Sequence, residues 1–241
     1  MSIEIRNLSF NYGDLTALEE INLSLREGCF NALLGPNGAG KSTLFALLTR
    51  LYALQRGEII IAGHSITRHP AQVMRKLGVV FQQSTLDLDL SVAQNLFYHA
   101  ALHGMSKRQA LPRISEELTR FDLSARLHDK VRNLNGGHRR RVEIARALLH
   151  KPTILLLDEP SVGLDPATRE SLNRHIRKLC QEQQLTVLWA THLMEEVQQD
   201  DPVTILFKGK MLASDTANEL CRQHQCADIS TLFRSLTGAI A

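Results

Sequence analysis

The stretch that most constrains this chain is "NALLGPNGAGKSTLFALL", residues 31–48. An apolar run, "CFNALLG" (29–35), reads as a buried strand and meets a glycine-rich turn. "KSTLFALLTRLY" (41–52) then continues with helical periodicity. Gly35, four further residues, then Gly40, Lys41 and Ser42 fit the phosphate-loop pattern, in the strand-before, helix-after context that the pattern requires. Gly38 and Gly40 let the backbone wrap around phosphates at a helix N-terminus, which aims amides at them. Lys41 is expected to reach the β- and γ-phosphates, and the Ser42 hydroxyl to bind Mg²⁺. Pro36, Asn37, Ala39 and Thr43 complete the same cradle. An ordinary glycine-rich turn is the competing reading; residue pattern and context together argue against it.

Strands and helices alternate along the rest of the chain. "IEIRNLSF" (3–10) and "INLSLR" (21–26) alternate apolar and polar residues as half-buried strands do, and "GEIIIAG" (57–63) and "LGVVFQ" (77–82) read as further strands. From Ser91 to about His150 the pattern is mostly helical, with Pro112 expected to start, end or kink a helix. "TILLLDEP" (153–160) is a buried strand ending in acids. A helix follows over Pro166–Gln184, then a strand, "LTVLWAT" (185–191), a hairpin, "VTILFKGKMLA" (203–213), and a helical tail from Asp215. This order predicts an α/β fold with a largely parallel central sheet. The expected organisation is one domain: a nucleotide-binding core from 1–82 and 151–214, an inserted helical subdomain at about 83–150, and a C-terminal tail at 215–241.

Composition narrows the classes. A 44% hydrophobic and 22% charged chain is ordinary for a globular protein. A net charge of +3 is too small to argue for nucleic-acid binding. "TILLL" (153–157) is far short of a membrane span, and "MSIEIRNLSF" lacks a signal-peptide core. A cytosolic chain is expected, with any membrane role needing a separate membrane partner. Cys29, Cys180, Cys221 and Cys226 suggest no disulfide framework. "CRQHQC" (221–226) has no evident fourth ligand, so reduced, unliganded thiols are expected.

The strand at 153–157 delivers Asp158 to the carboxyl end of the sheet, where it can hold Mg²⁺ directly or through water. Glu159 follows and can polarise an attacking water. Strand-end surface charge is the plain alternative for both acids.

With these residues in order, the chain resembles the nucleotide-binding subunit of an ATP-binding-cassette (ABC) transporter, from about Met1 to Ala213. The resemblance implies a phosphate-loop NTPase core with an N-terminal antiparallel β region and an inserted helical subdomain. It implies ATP and Mg²⁺ as cofactors. Tyr12 in "FNYG" resembles the aromatic that stacks on adenine. Gln82 in "VVFQQ" resembles the Q-loop glutamine linking the Mg²⁺ site to the helical subdomain. "LNGGH" (134–138) stands in the place of the LSGGQ signature. Asp165 in "SVGLD" (161–165) resembles the D-loop aspartate facing the other subunit, and His192 in "ATHLMEE" the switch histidine that contacts the γ-phosphate. Taken singly, Tyr12, Gln82 and His192 would read as ordinary surface or loop residues; their joint order carries the resemblance.

"NLNGGHRRRVEIARAL" (133–148) poses a puzzle, because His138 and Arg139–Arg141 crowd cations at a helix N-terminus that is already partly positive. A solvated face or a nucleic-acid patch is the plain explanation. The resemblance implies another. Two subunits pair head to tail, and Asn135, Gly136, Gly137 and His138 cap the γ-phosphate held by the partner. Val142, Ala145 and Leu149 are expected to bury one face of that helix. Asn135 replaces the usual serine and His138 the usual glutamine; Asn caps helices about as well as Ser. The stretch also resembles a bacterial subgroup associated with pyrroloquinoline-quinone-dependent alcohol oxidation.

The resemblance implies permease subunits on separate chains, a homodimer or heterodimer of ATPase subunits, and a place at the inner face of the cell membrane. "TLDLDLSVAQNLFYHAALHGMSKRQA" (85–110) resembles drug- and polysaccharide-type exporters, and no regulatory domain is expected after the cassette, so export is favoured over import. The alternative is a non-transport ABC ATPase acting on nucleic acid or ribosome. Such proteins usually carry two cassettes or a long coiled coil, and neither is read here. A GTPase switch is excluded by the lack of an N-K-x-D motif.

Overall fold

The computed structural model describes residues 2–238. In chain order its strands are β1 (Ile3–Tyr12), β2 (Leu15–Ser24), β3 (Phe30–Leu34), β4 (Arg56–Ile61), β5 (His64–Ser65), β6 (Leu77–Val80), β7 (Ile154–Asp158), β8 (Thr186–Thr191), β9 (Pro202–Phe207) and β10 (Lys210–Thr216). The helices are α1 (Lys41–Leu48), α2 (Pro70–Met74), α3 (Val92–Leu102), α4 (Lys107–Arg120), α5 (Gly136–Leu148), α6 (Pro166–Gln183), α7 (Ala217–Gln223) and α8 (Ile229–Thr237). Two sheets form, of order β2-β1-β4-β5 and β10-β9-β3-β8-β7-β6. The first is antiparallel; the second is parallel except where β10 pairs with β9.

The central sheet separates two apolar layers, and its strands alternate between them. In β3, Phe30, Ala32 and Leu34 face the layer that holds Leu96, Ile114, Val142 and Ile176 of the helices. Leu33 faces the other layer, with Leu44 and Phe45 of α1 and Ile3, Ile5 and Ile59 of the antiparallel sheet. β7 divides likewise, with Leu155 and Leu157 on the helical side and Ile154 and Leu156 on the other. All five residues of β3 and of β7 are buried, as expected of strands covered on both faces. In β1 the buried positions pass from Ile3 and Ile5 to Leu8 and Phe10, a change of parity. The pairing with β2 shifts register between Ile5 and Leu8, and Asn7 sits there at φ 48°, a conformation Asn tolerates.

The block between β6 and β7 is helical, as its pattern predicts. Its apolar side chains belong to the same buried layer as β3, β7 and β8, so it shares a core with the sheet. Ser91 with Gln94 and Ser106 with Gln109 form reciprocal capping boxes at α3 and α4. Several expected boundaries move. Pro112 lies inside α4, which continues on both sides of it. β2 ends at Ser24 instead of Arg26, and α1 stops at Leu48 instead of Tyr52. There the Thr49 hydroxyl donates to Phe45 O at 2.7 Å, and Arg50 turns to φ 59°. β10 runs to Thr216, so the helical tail begins at Ala217 and not at Asp215. β5 and α2 are short elements that the sequence pattern does not announce. Residues 239–241 of the expected tail lie outside the described residues.

Candidate phosphate-binding site

Strand order explains the site. β3, β8, β7 and β6 are parallel neighbours, so their carboxyl ends share one edge, where open α/β sheets bind ligands. β3 leads into Gly35–Gly40, β8 into His192, β7 into Glu159, and β6 into Gln82 two residues on.

The loop before α1 is an open cradle. Gly40 occupies the N-cap at φ 110° with no side-chain cap, and Gly38 has φ 78°. A Cβ on Gly40 would come within 2.8 Å of Leu18 Cδ2 and 2.9 Å of Ala17 O, and one on Gly35 within 2.6 Å of Leu206 O. The chain itself therefore demands glycine at both. Lys41 is buried; its Nζ donates to Gly35 O (2.7 Å) and Pro36 O (3.1 Å) and pairs with Glu159 Oε1 at 3.0 Å. Glu159 adopts φ 47°, a strained value for a side-chain-bearing residue, and its amide donates to Ala190 O at 3.0 Å. Gln82 Nε2 lies 3.5 Å from Glu159 Oε2, and His192 Nδ1 lies 3.3 Å from the same oxygen without hydrogen-bonding geometry.

Asp158 is 4% exposed. Burial pushes its carboxyl up from the usual carboxylate range, the Ser42 hydroxyl bonded to it pulls the other way, neighbouring Glu159 raises it further, and Lys41 and Arg140 oppose that. Its Oδ1 is buried with no protein hydrogen-bond partner. A cleft of about 570 Å³ is lined by Asn37–Thr43, Gln82 and Glu159, together with Tyr12, Lys208 and Gly209. Tyr12 is 43% exposed, packs edge-on against Phe10 and Tyr52, and places its hydroxyl 3.3 Å from Thr43 Oγ1.

Asn135 N-caps α5, its Oδ1 accepting from His138 N–H at 2.8 Å. None of residues 135–138 lines the cleft. Burial holds the His138 imidazole below its ordinary pKa, helped by Arg126 and Arg141. The arginines that follow are largely accounted for. Arg139 donates to Val131 O and Arg132 O (3.2 and 2.8 Å). Buried Arg140 donates to Phe81 O (2.7 Å) and Gln82 O (2.8 Å) and pairs with Glu143 at 2.9 Å. Glu143 accepts from Thr85 N–H at 2.9 Å, and Arg146 donates to Thr85 O at 2.9 Å. One face of α5 thus grips the segment from Phe81 to Thr85, a role that sequence reasoning missed because the partners are backbone groups, three carbonyls and one amide. Val142, Ala145 and Leu149 are buried as expected. Asp165 caps α6, accepting from Thr168 N–H at 3.0 Å and from the Thr168 hydroxyl at 2.6 Å. The four cysteines are free thiols.

A glycine cradle ending in a buried lysine, beside a strand-end acid pair on a parallel sheet, defines a phosphate-loop ATPase. The ABC transporter family profile matches residues 18–162. The chain is 36% identical over 220 residues to the linearmycin resistance ATP-binding protein of Bacillus subtilis (strain 168), covering 91% of this chain and 70% of that one. It is 37% identical over 220 residues to a daunorubicin resistance ATP-binding protein of Streptomyces coeruleorubidus (91% and 69% covered). It is also 38% identical over 221 residues to a sulfate/thiosulfate import ATP-binding protein of Synechocystis sp. (91% and 62% covered). An ATP-binding subunit of an ABC transporter superposes with TM-score 0.87 at 27% identity, over 98% of this chain and 99% of the other. A dimeric ATP-binding cassette in a post-hydrolysis state with ADP and Pi does so with TM-score 0.77 at 28% identity, over 89% and 98%. The chain belongs to the ABC transporter family: it is an ATP-binding, ATP-hydrolysing subunit that works with membrane permease subunits. Among the described residues no helix is long and apolar enough to cross a membrane.

Proposed function

We propose that this subunit powers export, hydrolysing ATP at composite sites between two ATPase subunits paired head to tail at the inner face of the cell membrane. The observation that supports the head-to-tail reading is that none of Asn135–His138 lines the cleft of their own chain, beside the likeness to a dimeric cassette with ADP and Pi. Two resistance-type relatives and the 85–110 stretch favour export over the import named for the sulfate relative.

In this reading Tyr12 stacks on adenine, and Gly35–Thr43 bind the phosphates. Ser42 and Asp158 hold Mg²⁺, with Gln82 beside them; the partnerless buried Oδ1 of Asp158 and the carboxylate–hydroxyl donor set fit that ion. The ion would neutralise charge on the β- and γ-phosphates. When phosphates take Lys41, the Lys41–Glu159 pair opens and frees a carboxylate to accept a proton from water. His192 contacts the γ-phosphate, and Asp165 faces the partner subunit.

Mixing variants tests the arrangement. Lys41→Ala disables the phosphate loop, and Gly137→Asp puts a carboxylate where the partner's γ-phosphate must approach. Paired, they leave one site with both lesions and one with neither. The mixture is expected to recover ATP-driven heterodimer formation, with hydrolysis if one intact site turns over alone. Two folded chains that together regain neither would overturn the trans arrangement. Drug efflux against drug uptake in vesicles carrying the co-purified permease separates export from import.

A further inference from the structure

Away from the nucleotide cleft, three histidines converge. His99 and His103 stand one turn apart on and just after α3, the spacing that puts two side chains on one helix face. His150 follows α5 by two residues. One ring nitrogen from each lies within 4.8 Å of the others. The His103 and His150 rings stack at 3.8 Å, and His99 lies 4.7 Å from His103.

One hydrogen bond fixes what the His150 ring can offer. His150 Nε2 lies 2.9 Å from Leu77 O. A carbonyl only accepts, so Nε2 carries the proton and Nδ1 carries a lone pair. That Nδ1 is buried with no partner, and so is His99 Nε2. Two buried ring nitrogens without partners, one of them the His150 lone pair, are costly unless something claims them. The bond from Nε2–H to a backbone carbonyl is the outer-shell contact that orients a ligating imidazole. Burial, with Arg146 and the other two rings, holds His99 at about 3; burial and His103 hold His150 at about 4, against the opposing Leu77 bond. Burial also lowers His103. Burial disfavours the charged form of all three rings.

We propose that His99, His103 and His150 form a three-imidazole site for a divalent transition-metal ion of the zinc type, with a fourth position open to solvent. Imidazole donors suit zinc, copper and nickel and not magnesium. Three protein ligands with one open position is the pattern of a reactive rather than a closed structural site. His103 is exposed and borders a cleft of about 540 Å³ with Met105 and Gln109, which gives an ion its entry path. The surroundings are cationic: Arg146 faces His99, and Arg75, Arg113 and Lys151 line the cleft. Arg113 is already paired with Glu117 at 2.9 Å. This charge weakens the site and favours an anionic fourth ligand such as hydroxide or chloride. A bound ion would tie α3 to the end of α5 and, through Leu77, to β6.

The test uses the tag-free full chain carrying Asp158→Asn, which removes the oxygen site where cobalt could also bind. Titration with Co²⁺ is expected to give ligand-field absorption saturating at one equivalent, and Zn²⁺ to abolish it. His103→Gln and His99→Gln should each weaken Co²⁺ at least tenfold, while His224→Gln, beside the cysteines of the tail, should not. Zn²⁺ should raise the thermal midpoint of the parent chain but not of His103→Gln, whose exposed ring makes loss of fold an unsuitable explanation. An unchanged spectrum and affinity in His103→Gln would overturn the site, as would the absence of any saturable Co²⁺ absorption.

Discussion

Two helix N-termini in this molecule bear glycines and are read as meeting phosphate, yet they are built in opposite ways. At α1 the N-cap is a glycine at φ 110° with no side-chain cap, and neighbouring backbone closes on its Cα. At α5 an asparagine side chain closes the helix, neither Gly136 nor Gly137 has positive φ, and a Cβ on Gly136 would meet nothing within 4 Å. A Cβ on Gly137 would only press on Thr168 Cγ2 at 3.0 Å. The fold of the chain therefore demands the glycines of the first and does not demand Gly136 in the second. In the head-to-tail pairing proposed above, the open space at Gly136 is where a partner's nucleotide would approach.

The contrast predicts its own largest effect. Gly40→Ala forces a left-handed backbone on alanine and drives a methyl into Leu18 and Ala17; it should cost about 2–4 kcal/mol in urea unfolding and abolish ATP binding. Gly136→Ala should change stability by no more than about 0.5 kcal/mol, since alanine suits a helix better than glycine. Its hydrolysis should nevertheless fall about tenfold or more, because a methyl displaces a phosphate from backbone amides. Equal destabilisation by the two substitutions, or full hydrolysis in Gly136→Ala, would break the comparison.

The same contrast shows what was legible in the sequence. The first N-terminus is local: strand, turn and helix lie within residues 29–48, so pattern alone gives its shape and chemistry. Asn135 as a cap is local too, and the structure has it capping. Arg140 was opaque, because its partners Phe81 O and Gln82 O lie 58–59 residues away and are backbone atoms with no letter of their own. The Lys41–Glu159 pair joins the start of α1, after β3, to the residue following β7, and only the sheet order β3-β8-β7 brings the two together. The His99–His103–His150 group is of the same kind: the helical spacing of the first pair is visible, but nothing local points to the third. Of the three roles that Pro112 offers, to start, end or kink a helix, local pattern could not choose; it lies inside α4, where Ala110, Ile114 and Leu118 pack into the core around it.

A smaller effect sharpens the α5 half. Asn135→Ala removes the acceptor for His138 N–H and should lower stability by about 1 kcal/mol, whereas Asn135→Ser should stay within a few tenths. If Asn135 only caps, hydrolysis in the serine variant should match the parent. If its amide also donates to the partner's phosphate, serine should preserve stability and still change the ATP dependence of dimer formation. Urea titration and sedimentation on the same two variants separate the roles.

The smallest effect concerns the α1 half, whose buried acid, Asp158, has an oxygen without a protein partner, whereas the buried acid of α5, Glu143, pairs with Arg140. Burial raises the Asp158 carboxyl in the folded chain, so between its unfolded and folded pKa values the native state binds more protons than the unfolded state. Stability without nucleotide or Mg²⁺ should therefore fall as pH rises through that window, opposite to the usual behaviour of a salt-bridged aspartate. Asp158→Asn removes the charge and leaves an oxygen for the Ser42 hydroxyl. The variant should be more stable than the parent at pH 7, and the gain should shrink as pH drops and the parent's carboxyl protonates. Mg²⁺ with ATP should reverse the order, stabilising the parent more than the variant, because the cation takes up the carboxylate that burial disfavours. A gain independent of pH from 7 downward would mean that Asp158 is not held against its own charge, and the partnerless Oδ1 would then need another explanation than a cation.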